Sequence, residues 1–309
     1  MKLNKRKLGG FEKFNRVAPH TNGIISIIFI ILAVICIMPV VLVFMVSISS
    51  EQSIQQVGYR FWPEEFSLEA YSYLYNSKDS ILRSFGISIL VTVLGTIVGL
   101  ILNTTIAYAL SRKNFKFKSF FTWVIFIPML FNGGMISSYI VVSTMLNLKD
   151  TIWALILPMA VSSFNIIILR TFFQTTIPDS LIESAKLDGA NQLRIFTTIV
   201  LPISLPAIAT IGLFLTFAYW NDWYNALLYI DNNSLVPIQA LLNRIQGDIE
   251  FMNQNVSLLG ASASEILDKL PSESVRMAIV IVVVLPIACS YPFFQKYFIS
   301  GLTIGAVKE

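Results

Sequence analysis

The chain has 309 residues, of which 55% are hydrophobic and only 13% charged, and its mean hydropathy is +0.70. A soluble domain carries about 25% charged residues, so this composition excludes an ordinary soluble protein and calls for a lipid environment. The formal net charge of +4 is too small to point to nucleic acid; what matters is how it divides across a membrane.

Six stretches free of Asp, Glu, Lys and Arg follow one another along the chain, at about residues 24–46, 85–110, 120–147, 151–169, 197–220 and 277–295. Each is long enough to cross a hydrocarbon core that needs about 20 helical residues. The first, IISIIFIILAVICIMPVVLVFMV, is too long for a signal-peptide core and lacks a small-x-small cleavage pattern, so it reads as a retained span. The expected fold is an all-α membrane protein with a six-helix domain over residues 21–300. A cytoplasmic N-terminal segment (1–20) precedes it and a cytoplasmic tail (301–309) follows.

Orientation follows from the basic residues. With the N-terminus inside, the cytoplasmic segments hold 15 of the 22 Lys and Arg but only five of the 18 Asp and Glu. That satisfies the positive-inside rule, with both termini cytoplasmic. It also puts residues 171–196 on the cytoplasmic side and the long segment 221–276 outside. In the latter, VPIQALLNRI spaces Ile238, Leu241, Leu242 and Ile245 as an amphipathic helix, with Pro237 near its start.

Two glycine signals lie within the spans. Gly95 and Gly99 have the spacing of a small-residue helix-packing motif. Asn132-Gly133-Gly134 interrupts the third stretch, either as a pathway lining or as a turn at the outer interface. The two cysteines, Cys36 and Cys289, fall in apolar runs and read as buried small residues rather than a disulfide framework. His20 reads as an interfacial surface residue. No Cys/His cluster suggests a metal.

What is missing narrows the function. No span contains a carboxylate, lysine or arginine, the usual mark of a proton or ion path, which argues against an ion-driven secondary transporter. No GxxxxGK[ST] phosphate loop is present, so ATP would have to be bound and split elsewhere.

Against this background the stretch ESAKLDGANQLRIFTTIVLP, residues 183–202, is unusually charged. Pro178 and Asp179 suit the start of a helix, with Leu181, Ile182 and Ala185 on one face. Gly189 sits where a left-handed cap would end it. A second helix, NQLRIFTTIVL, would run on into the fifth span and meet Pro202 about one turn inside. Two short helices at a glycine corner form either a plug for a groove in another protein or an ordinary amphipathic loop.

The spacing E-S-A-x-x-x-G, nine residues, then I-x-L-P (Glu183, Ser184, Ala185, Gly189, Ile199, Leu201, Pro202) closely resembles the EAA loop of ABC-importer permeases. Ser184 departs from the usual alanine, a small-for-small change. Asp188-Gly189-Ala190, the Trp220-Asn221 pair, Gly133-Gly134-Met135-Ile136 before Tyr139, and the tail QKYFISGLTIGAVKE resemble the sugar-importing branch related to the maltose permease MalG, in the subgroup of LplC and YtcP.

The resemblance implies a type I, MetI-like permease subunit of a binding-protein-dependent importer for carbohydrates, oligosaccharides above all, in a bacterial cell membrane. It would not be catalytic alone. Its loop 176–202 would be a coupling helix seated on an ATPase, with Glu183, Ser184, Ala185, Asp188, Gly189, Ala190 and Pro202 as the coupling residues. The partners implied are a second, non-identical permease, two cytoplasmic ATPases that bind ATP and Mg, an extracellular solute-binding lipoprotein reached by the outer loop, the sugar and membrane lipid, with no nucleic acid. Candidate substrate contacts are Asn132, Tyr139, Asn165, Phe217, Tyr219 and Trp220, although aromatics in spans commonly serve packing or interface belts. An importer for a non-sugar solute and a membrane scaffold are the remaining alternatives.

Overall fold

The computed structural model describes residues 19–76, 78–254 and 272–306. Among them the β structure amounts to one isolated antiparallel bridge, Ser49 to Phe66; everything else regular is helical. The N-terminal segment to residue 18, residues 255–271 of the outer segment (with Glu265, Asp268 and Lys269) and residues 307–309 of the tail lie outside the described residues.

The six apolar runs fall on helices. They are α1 (Pro19–Ser47), α4 (Lys78–Ser111), α5 (Lys118–Leu130) with α6 (Gly134–Tyr139), α7 (Ile152–Ala160) with α8 (Ser163–Thr176), α11 (Leu205–Trp220) and α14 (Ser272–Ala306). Between them lie α2 (Glu51–Val57), α3 (Glu69–Asn76), α9 (Asp179–Leu187), α10 (Gln192–Ile195), α12 (Tyr224–Tyr229) and α13 (Ile238–Gln254).

The chain divides into two compact units. One comprises residues 1–71 and 271–281. In it α1 is apolar and exposed along almost its whole length, as expected of a helix whose solvent is lipid. Ser50 caps α2 by accepting from the Ser53 N–H at 3.2 Å. The buried Glu51 carboxylate accepts from the backbone N–H groups of Glu273 (3.1 and 3.2 Å) and Ser274 (3.1 Å) and from the Ser274 hydroxyl (3.0 Å). It thereby satisfies orphan donors at the start of α14, where a negative charge also suits the helix dipole.

The other unit, residues 72–270 and 282–309, is organised around α4. The Gly95/Gly99 motif packs as its spacing suggests. A Cβ at Gly95 would lie 2.6 Å from the Tyr219 ring, and one at Gly99 would lie 3.0 Å from Leu215 and 3.3 Å from the Ala160 carbonyl. Tyr219 cannot yield, because its hydroxyl donates to the Ile156 carbonyl at 2.8 Å. Two bare backbone positions on α4 thus let α11 and α7 approach closely, which is how helices gain contact in lipid without a hydrophobic driving force.

The spans are more broken than the hydropathy suggests. α7 and α8 meet at 48°. Pro158 lacks the N–H a continuous helix would use, and Ser162 starts the new helix by accepting from the Asn165 N–H at 3.4 Å. The fifth run departs further from expectation. The helix begun at Asn191 opens into a π turn over Phe196–Val200, and residues 192–203 then meet α11 at 83°. Pro202 therefore stands beside a sharp corner rather than one turn inside a straight span. Pro206 has no N–H to return to the carbonyl four residues back, and the Ser204 N–H bonds Val200 and Leu201 instead. Cys36 and Cys289 are also exposed rather than buried, since each lies on an outward face of its helix.

Candidate coupling site

The charged module folds as a helix, a corner and a second helix. α9 starts after Pro178, which occupies the cap position in extended backbone, and Asp179 lies in the first turn. Ile182 and Ala185 are buried, whereas Leu181 points outward. A nine-residue helix lying on a surface buries only a narrow stripe, and Leu181 is about 100° around the helix from Ile182. Glu183, Ser184, Lys186, Leu187 and Asp188 are exposed, and Leu187 and Leu193 are 89% and 70% exposed. The module thus offers an acidic group, a basic group and bare leucines on the face turned away from the chain.

Gly189 has φ +80°, the left-handed conformation that closes the helix. The Ala190 N–H donates to the Ala185 carbonyl (2.9 Å) and the Gly189 N–H to Lys186 (3.0 Å), the paired bonds of a Schellman cap. Asn191 then caps the next helix by accepting from the Arg194 N–H at 2.8 Å. Glycine and asparagine together turn the chain through the corner with its backbone groups paired.

The end of α4 holds this module. Lys113 Nζ lies 2.6 Å from Asp179 Oδ2 and Arg112 4.0 Å from Oδ1. The ion pair with Lys113 holds the Asp179 carboxyl below its ordinary range and raises the Lys113 ammonium. Tyr108 donates to Gln192 Oε1 at 2.9 Å, and its ring lies 5.0 Å from that of Phe196. Between the end of α4 and α9 is a half-open cavity of about 380 Å³, lined among others by Tyr108, Lys113, Asp179, Ile182, Glu183 and Gln192.

Of the candidate substrate contacts, Phe217, Tyr219 and Trp220 share the last turn of α11, Tyr139 ends α6, Asn165 opens α8, and Asn132 precedes α6. Asn132 accepts from the Gly134 N–H at 2.9 Å and so shapes the break in the third run. Tyr139 stacks on Tyr229, with centroids 6.1 Å apart. Asn165 is buried in the first turn of α8, and Phe217 is half-buried. Tyr219 is fixed against Gly95, and the Trp220 Nε1–H donates to the Val283 carbonyl at 3.3 Å. Among the described residues, no side-chain hydrogen bond or ring contact links any two of the six. In the segment 221–276, α13 buries Ile238, Ala240 and Leu242, and the Ile238 N–H donates to Ser88 Oγ at 2.8 Å.

Sequence reasoning missed Asn103. It is fully buried in α4 and clamps the α7–α8 break. Its amide donates to the carbonyls of Gly99 (2.6 Å) and Ala160 (2.8 Å), and its oxygen accepts from the Ser162 N–H (3.1 Å). The signal was there: the only amide in the middle of an apolar run is expensive unless paired.

Known proteins share this architecture. Residues 92–304 match the model of the family described as binding-protein-dependent transport system inner membrane component. The chain is 42% identical to the polygalacturonan/rhamnogalacturonan transport system permease protein YtcP of Bacillus subtilis, over 89% of its own length and 94% of that protein. To protein LplC of the same organism it is 39% identical, over 89% and 90%. It also superposes on a chain in the crystal structure of a bacterial ABC transporter involved in the import of the acidic polysaccharide alginate. There the TM-score is 0.75 at 29% identity, covering 92% of this chain and 99% of that one. With a family match over most of its length and these helices around that corner, the chain belongs to the binding-protein-dependent inner membrane components, as a multi-pass permease of the type I ABC-importer architecture that is not an enzyme by itself.

Proposed function

We propose that the chain is one of two non-identical permeases of a bacterial carbohydrate importer, with α9 and the Gly189 corner as its contact with a cytoplasmic ATPase. The observation that carries this reading is the exposed face of α9. Glu183, Lys186, Leu187 and Leu193 surround a rigid turn that the chain itself leaves uncovered. Such a mixture of charge and bare leucine suits a soluble protein surface better than lipid. ATP and Mg are bound by the partner, whose closure moves α9.

The cargo is an oligosaccharide. The relatives named for polygalacturonan/rhamnogalacturonan and for alginate support an acidic one. Reconstituted with its second permease, ATPases and binding protein, the complex should take up oligogalacturonides, with ATP hydrolysis stimulated by the loaded binding protein. Stimulation by peptides or amino acids in place of every sugar tried would overturn the assignment.

The orientation, with termini and coupling loop inside, rests on the distribution of basic residues. In a Cys36→Ser, Cys289→Ser background, a cysteine at Asn114 should resist a membrane-impermeant maleimide in intact cells, while one at Asn233 should react. The opposite pattern would put the loop outside the cell and remove the ATPase contact.

A further inference from the structure

We infer that Lys113 and Asp179 are positioning residues for coupling, forming a strut that passes motion of α9 to the second span, α4; this rests on the coupling role proposed above. Three observations converge. First, α9 does not lie flat on the end of α4, because the cavity of about 380 Å³ stands between them. A helix pushed from the cytoplasm could tilt into this space without moving α4.

Second, the space is bridged at two edges. At the start of α9, Asp179 is gripped by Lys113 (2.6 Å) with Arg112 behind it. Beyond the corner, Gln192 accepts from Tyr108. One leg stands on the last turn of α4, at Tyr108, and the other on Lys113, two residues past its end, so both short helices of the loop report to the end of α4 and the turn that follows it. Third, α4 is the helix on which α7, α8 and α11 pack, so displacing its end displaces the core of the unit.

The Asp179 and Lys113 side chains are 47% and 80% exposed, and an exposed pair adds little to stability. Its value is geometric. Because the aspartate is held low and the lysine high, the strut stays charged throughout the neutral range. It is lost only as pH falls through the depressed Asp179 value or rises through the raised Lys113 value.

The test uses the whole importer in proteoliposomes and reads sugar taken up per ATP hydrolysed. Asp179→Lys should lower that ratio about fivefold or more, ~1 kcal/mol of coupling. Basal hydrolysis and the bound ATPase subunits should be unchanged. Adding Lys113→Asp should restore at least half of the loss, and Asp179→Glu should keep most of it. A wild-type ratio in Asp179→Lys, loss of the ATPase subunits from it, or a double variant no better than the single would each overturn the strut. Failure of the wild-type complex to transport any sugar is a separate result, which strikes the proposed function instead.

Discussion

Glu183→Lys and Gly189→Asp should each reduce sugar uptake about tenfold or more, ~1.4 kcal/mol of lost coupling, while the permease remains in the membrane at near wild-type amounts. The two substitutions act differently. Glu183 is exposed on α9, outside the hydrophobic core, so reversing its charge leaves the fold alone and would present a repulsive group to the proposed partner. Removing one member of a desolvated interfacial charge pair costs about 2–5 kcal/mol, and reversal costs at least as much. Gly189 is left-handed at φ +80°, where a side chain adds about 1–2 kcal/mol of strain. Yet among the described residues, apart from its two chain neighbours, no atom lies within 4 Å of the position its Cβ would take. On the coupling role proposed above, the crowding expected of Asp comes from the ATPase. Gly189→Ala separates the two causes, since it carries the strain with little bulk and no charge. Equal uptake losses in the Ala and Asp variants, tracking thermal stability, would show that Gly189 only shapes the helix end.

Asn103→Leu is expected to be the most destabilising single change in the transmembrane core. It strips the Ala160 carbonyl and the Ser162 N–H of their partner at a helix break with no continuing helix to take them. At about 1–3 kcal/mol for each of the two buried groups left unpaired, the loss is about 2–6 kcal/mol. Hydrogen bonds between spans average nearer 0.6 kcal/mol because displaced side chains find other partners. Backbone groups locked at a break have no such freedom, so the larger figure governs. The purified permease should show a clearly lower unfolding midpoint, and assembled complex should fall with it. Asn103→Asp keeps the acceptor for Ser162 but loses both amide donations and brings a carboxylate to membrane depth, so it should fare no better. An unchanged midpoint in Asn103→Leu would assign the break to Pro158 and Ser162 alone.

These two sites differ in how far they were legible beforehand. The corner at Gly189 could be read because its cause is local: a glycine at a helix end needs no knowledge of the rest of the chain. The same holds for the break at Asn132-Gly133-Gly134, whereas the spacing of Gly95 and Gly99 marked a packing face without naming Tyr219 and Leu215 as what packs there. The 83° turn at Ser204 was not legible, because hydropathy is blind to direction and scores a straight span and a bent one alike. Leu181 was misplaced for a related reason: periodicity names a face but does not say how wide a stripe the neighbours cover. Lys113 and Asp179, 66 positions apart, could not have been paired at all. Only the course of α4, α8 and the loop brings those two charges together.

The cap that Glu51 places on α14 has a consequence for how the protein is made. The Glu273 and Ser274 backbone groups that bind this carboxylate lie 222 and 223 positions downstream. At about 5–20 residues per second, the ribosome needs roughly 10–45 s to cover that interval. Throughout that time the Glu51 carboxylate is without the α14 groups that it binds in the folded protein. The unit formed by residues 1–71 and 271–281 can therefore close only after its second segment has been made. A chain cut short anywhere before residue 273 lacks the Glu273 and Ser274 groups that this carboxylate binds in the folded protein.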